Sequence, residues 1–123
     1  MTPIERIPGD LPLPFSKAVR AGGFLFLSGQ IPLGQDGAPL RAAIEEQTAN
    51  VIERIAATLA QQKSGLEDVV RVTVWLSDLA LFGRFNEVYS DYFKAPHLPV
   101  RSTVRAELAF GVDVEIEVTA YCR

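Results

Sequence analysis

The chain has 123 residues, 48% of them hydrophobic and 22% charged, with a formal net charge of -3 and a pI near 5.1. That is enough apolar material for one domain over residues 1–123, and the acidic balance argues against a nucleic-acid surface, which needs a basic stripe. The single cysteine, Cys122, excludes an intramolecular disulfide; the opening MTPIERIPGDLPLP has no apolar run, and no stretch approaches the roughly 20 apolar residues that span a bilayer, so a cytoplasmic protein without membrane association is expected.

Pro8–Pro14 reads as an extended lead-in, because each proline bars helix for its predecessor. Ala18–Val19 and Gly23–Ser28 read as short strands, with Gly22–Gly23 as the turn between them. Leu33–Pro39, LGQDGAP, reads as a loop. From about Ala42 to Lys63, Ile44, Val51, Ile55 and Leu59 recur at helical spacing, and Gly65 lies where a C-cap is expected. Val69–Ser77 alternates as a strand, with Val70, Val72, Val74 and Leu76 on one side and Arg71, Thr73 and Trp75 on the other. Ser77 or Asp78 can cap a second helix running to about Phe93, whose buried side is expected to carry Phe82, Phe85, Tyr89 and Phe93. Pro96 and Pro99 end it, and two strands follow at about Val100–Leu108 and Val112–Tyr121, joined near Phe110–Gly111.

This order predicts an α+β two-layer sandwich, with two helices on one face of a mixed, mainly antiparallel sheet. In the last strand Val112, Val114, Ile116 and Val118 form the core side, which leaves Asp113, Glu115, Glu117, Thr119 and Tyr121 opposite. Arg101, Thr103 and Arg105 are expected on that same uncovered face with Thr73 and Trp75. Its aromatics suit an interface, and packing of subunits through it would create clefts at their edges. Arg101, at the mouth of a strand, suits bidentate capture of a carboxylate; the alternative is a structural ion pair with Glu115 or Glu117.

LSGQIPLG (Leu27–Gly34), VVRVTVWLSDL (Val69–Leu79), FNEVYSDYF (Phe85–Phe93), PVRSTV (Pro99–Val104) and VEIEVTA (Val114–Ala120) together resemble the RidA/YjgF family of reactive-intermediate deaminases. The resemblance covers nearly the whole chain in the right order. It implies a chorismate-mutase-like fold and a homotrimer with clefts between neighbouring subunits. It also implies hydrolysis of 2-imino acids, or their enamine tautomers, to 2-oxo acids and ammonia, with no metal and no organic cofactor. The family's carboxylate-binding arginine falls on Arg101, and its water-positioning acid on Glu115. Its SGQ serine and glycine fall on Ser28 and Gly29, and the asparagine of its second helix on Asn86. Thr103 stands where cysteine is frequent. Phe15, in PFSKAV, stands where deaminating members commonly have tyrosine, and the Arg101–Glu115 connection is a residue shorter than in familiar members.

On this reading Arg101 holds the substrate carboxylate, while Glu115 and carbonyls of the Ala95–Leu98 loop hold the attacking water. His97, the sole histidine, lies beside that loop; a solvated side chain is its ordinary reading. Cys122 reads as packed rather than reactive. The alternative to an enzyme is a non-catalytic module that binds small carboxylates or 2-oxo acids in the same cleft, which the loss of the Phe15 hydroxyl favours. Ribonuclease action conflicts with the charge balance, and chorismate mutase chemistry has fold analogy alone behind it.

Overall fold

The structure, a computed structural model, describes residues 3–122. Six strands form one sheet, β1 (Glu5–Pro8), β2 (Ser16–Ala21), β3 (Phe24–Leu27), β4 (Val69–Leu76), β5 (Val100–Arg105) and β6 (Val114–Tyr121), in the order β1-β2-β3-β6-β4-β5. All neighbours are antiparallel except β4 and β5. The helices α1 (Ile44–Gln61) and α2 (Phe82–Tyr92) pack on one face. The expected α+β two-layer sandwich is therefore present.

Its core is built from the two periodicities. Ile44, Val51, Ile52, Ile55 and Leu59 of α1 are buried against Val72, Val74 and Leu76 of β4 and Val114, Ile116 and Val118 of β6. Phe85, Tyr89 and Phe93 close the core under α2. Gly22 and Gly23 both adopt positive φ (59° and 82°), as a two-residue hairpin turn between twisted strands requires. Phe110 and Gly111 likewise lie at positive φ in the β5–β6 connection.

Several expectations are corrected. Strand β1 pairs with β2, although Pro8 and the short apolar content of ERIP hid it. Val70 faces solvent at 42% exposure, because the β4–β6 register shifts between Val69 and Arg71 and the bulge turns Val69 inward instead. Lys63, not Gly65, takes the left-handed position that closes α1, at φ 61° with the Ser64 amide donating to Leu59; Gly65 is extended and starts a short 3-10 turn. Asp78 caps a 3-10 turn ahead of α2 by accepting from the Ala80 amide. Phe82 is 42% exposed rather than core.

Candidate active site

Arg101 is where the structure departs most from expectation. Arg101 pairs with Val72 across the parallel β4–β5 ladder, and Thr103 with Val74. Paired residues of adjacent strands project to the same side, and Val72 and Val74 belong to the core. Arg101 and Thr103 therefore lie on the helix-covered side of an edge strand, while Val100, Ser102 and Val104 share the open face. The reason is the crossover through α2, which sets β5 parallel to β4 and fixes its register. Neither Glu115 nor Glu117 pairs with Arg101, and no ion pair of Arg101 exists among the described residues.

Instead Arg101 rests on α2. Its Cζ lies 4.7 Å from the centroid of the Tyr89 ring, 5.5 Å from that of Phe85 and 5.6 Å from that of Phe82. Positions 82, 85 and 89 share one helix face, so α2 presents all three rings to the strand. Asn86, half-buried, is next along that face, four residues after Phe82 and three before Tyr89. Burial pushes the Tyr89 hydroxyl up from its ordinary pKa, and both the charge of Arg101 and its hydrogen bond to that hydroxyl oppose the shift.

Glu115 belongs to a second cluster, on the open face. It pairs with Trp75 across β4–β6. Phe26 pairs with Thr119, and the next bridge joins Gln30 to Ile116, so β3 carries one residue more than β6 between these points. This bulge is the SGQ turn. The Ser28 hydroxyl donates to the Ser16 carbonyl at 2.6 Å, and the Gln30 and Ile116 amides each donate to the other's carbonyl. Further along, the Asn50 side chain of α1 accepts from the Leu33 amide and donates to the Leu33 carbonyl, and Arg54 donates to the Ile31 carbonyl. The turn is thus clamped from both layers.

Gly29 is held directly against the carboxylate. A Cβ there would stand 2.2 Å from Glu115 Oε2, closer than any real contact. The Glu115 carboxyl is pushed above its ordinary value, first by burial and then by the charge of Glu117. Phe15, 57% exposed, precedes Ser16 in the wall of a groove of about 620 Å³ formed with Asp10, Leu11 and Leu13. His97 is exposed, and its amide donates to Lys94. Among the described residues no three His, Cys, Asp or Glu side chains gather at metal-binding range.

The expected site residues therefore form two half-sites. Arg101, Thr103 and Asn86 stand at the β5 edge with α2; Phe15, Ser28, Gly29 and Glu115 stand on or beside the open face. Arg101 and Glu115 point to opposite sides of the sheet, two strands apart, so one chain does not bring them together. Sequence reasoning took Phe82, Phe85 and Tyr89 as core and missed that they seat Arg101. Their helical spacing was visible, but not the strand they face.

Residues 10–122 match the family model described as Endoribonuclease L-PSP. A RutC family protein of Pyrococcus abyssi is 44% identical over 110 residues, covering 88% of this chain and 86% of that protein. This chain belongs to the RidA/YjgF (Endoribonuclease L-PSP) family. The chloroplastic Reactive Intermediate Deaminase A of Arabidopsis thaliana is 36% identical over 118 residues, 94% of this chain and 62% of that longer protein. The crystal structure of a YjgF family member from Neisseria meningitidis superposes with a TM-score of 0.87 at 32% identity, covering 98% and 96% of the two chains. The family thus includes a reactive intermediate deaminase, and the fold is shared with its solved members. No helix among the described residues is long and apolar enough to cross a membrane.

Proposed function

We propose that this protein hydrolyses 2-imino acids, or their enamine tautomers, to 2-oxo acids and ammonia, in a cleft completed by a second copy of the chain. The observation that carries this reading is Arg101: a half-buried guanidinium with no carboxylate of its own among the described residues. A desolvated cation left unpaired is costly unless an anion arrives, and a planar fork fits a carboxylate with two parallel hydrogen bonds.

The second half-site supplies the water chemistry. Arg101 fixes the substrate by its carboxylate, and the Glu115 of a neighbouring protomer takes a proton from the attacking water as oxygen bonds to the imine carbon. The imine nitrogen takes up a proton. The hydroxyl proton of the resulting aminol then passes through Glu115 to the amino nitrogen, the carbonyl forms, the C–N bond breaks and ammonia departs. The raised proton affinity of Glu115, caused by burial and by the charge of Glu117, makes it a better base than an ordinary carboxylate. An imine is electrophilic already, so placement and proton transfer suffice.

The assembly we propose is a homotrimer. The open face carries Phe24 and Phe26 at 39% and 45% exposure, with Val100 and Val104 at the β5 edge. A contact between a β5 edge on one copy and an open face on the next is head-to-tail, and such contacts close into rings. Three is the number the family resemblance implies. The cytosol is the compartment we assign, on the buried free thiol of Cys122. The formal charge of -3 does not favour a nucleic-acid substrate, despite the endoribonuclease wording of the family description. The Phe15 ring, lacking a hydroxyl, favours the competing reading of a carboxylate-binding module.

Complementation tests both the chemistry and the sharing of the site. Arg101→Ala and Glu115→Gln proteins, each inactive toward an imino acid generated in situ, are unfolded together, mixed and reassembled. About a quarter of clefts in random rings then hold both native residues, so about a quarter of wild-type ammonia release returns. Turnover by Arg101→Ala alone would remove the carboxylate role. Binding of a 2-oxo acid by the wild type without ammonia release would select the binding module.

A further inference from the structure

We propose that Tyr89, supported by Phe82 and Phe93, is the positioning residue that aims Arg101 at the substrate carboxylate. This rests on the carboxylate role given to Arg101 above. The rings stand 4.7 Å and 5.6 Å from the guanidinium carbon at Tyr89 and Phe82, with Phe85 at 5.5 Å beneath. Phe93 stacks on Tyr89 at 4.5 Å with an interplanar angle of 22°, which fixes the tilt of the Tyr89 ring.

An arginine on an edge strand has several rotatable bonds and would ordinarily sweep through solvent. Electrostatic attraction to the three rings beneath it restrains the guanidinium. One N–H donor goes to the Tyr89 hydroxyl, and the remaining donors are left for an anion. A carboxylate would hold the group as firmly but would occupy the same donors as the substrate. A lysine could rest on the rings but could not offer a substrate carboxylate a planar fork as well. Tyr89 holds the guanidinium both by its ring and by its hydroxyl, which accepts a hydrogen bond from Arg101. Ordering Arg101 in advance lowers the entropy cost of binding, so the effect falls on affinity and KM rather than on kcat.

The test uses the full-length protein with pyruvate as the binding probe and an in situ imino acid as substrate. Tyr89→Phe keeps the ring but loses the hydroxyl contact and is expected to weaken the pyruvate Kd by no more than about threefold. Tyr89→Leu is expected to weaken pyruvate binding and raise KM roughly tenfold with little change in kcat, whereas in an Arg101→Lys background it adds less than about twofold. Phe82→Leu, on the exposed side of the seat, is expected to weaken binding roughly threefold and guards against misfolding of the Tyr89 variant. The Arg101 side-chain resonances, displaced by ring currents in the wild type, should relax in Tyr89→Leu and persist in Tyr89→Phe. Equal losses from Tyr89→Leu in the wild-type and Arg101→Lys backgrounds, or undisplaced resonances in the wild type, would overturn the proposal. A wild type that binds pyruvate yet releases no ammonia would end the deaminase reading and leave the seat standing; one that binds no pyruvate would end both.

Discussion

Replacing Gly29 by alanine is the sharpest probe of the Glu115 half-site. The new Cβ would lie 2.2 Å from Glu115 Oε2, 3.2 Å from Cδ and 3.4 Å from Cγ. Ordinary van der Waals contact begins near 3.4 Å, so the carboxylate oxygen must retreat by about 1.2 Å while its stem barely moves. The backbone at Gly29 is not in the left-handed region, so alanine adds no φ strain. The yielding group is the end of a side chain rather than packed core, so the stability cost is about 1 kcal/mol or less. Catalysis bears the change instead: a misplacement of about 1 Å in a catalytic group can cost roughly 100-fold. Gly29→Ala should therefore show a kcat for ammonia release reduced by about that factor, with thermal midpoint, assembly size and pyruvate affinity close to wild type. A folded Gly29→Ala enzyme with an unchanged kcat would refute the placement of Glu115 at the reacting water.

Other consequences follow from the same geometry. Because the Glu115 carboxyl is raised from its ordinary 4.5, the folded protein holds more protons than the unfolded one between that value and the folded pKa. Stability contributed by this group is thus complete below the window and is lost as pH rises through it. Glu115→Gln should melt above wild type at pH 7, and the difference should close at pH values under 4.5; an equal difference at all pH values would contradict the shift. Glu117→Gln removes the like charge and should move the acid limb of the kcat/KM profile to lower pH, a displacement that titration of rate would detect. Phe85→Ala opens a void at a side chain with 0% exposure, and urea unfolding at fixed protein concentration should show a loss of about 3–5 kcal/mol. Phe15→Tyr restores a hydroxyl beside the Ser28 turn and should raise kcat/KM by up to about tenfold, the worth of one good hydrogen bond; no gain would remove this position from the reaction.

Much of the chain declared itself locally. The spacing of Ile44, Val51, Ile55 and Leu59 located α1, and the strict alternation of Val114, Ile116 and Val118 located β6 and its buried side. Gly22–Gly23 marked the hairpin, because positive φ at two successive residues is a local demand. These features depend on neighbours a few residues away, and so they were legible in a string. The candidate positions themselves were named by resemblance, but as one cluster on one face.

What only the tertiary structure decided is which way those positions point. The segment VRSTVR misleads here: its valines and Ser102 fall on one face and its arginines and Thr103 on the other, yet it is the valine face that stays open. The parallel pairing with β4, made through the α2 crossover, set Arg101 beside Val72 and sent it to the helices instead of to Glu115. A one-residue slip would have reversed this. The extra residue in β3 at the SGQ turn and the register shift beside Val70 are likewise properties of a pair of strands, invisible in either alone. Register is a non-local quantity, and here it splits the arginine from the glutamate onto opposite faces of the sheet.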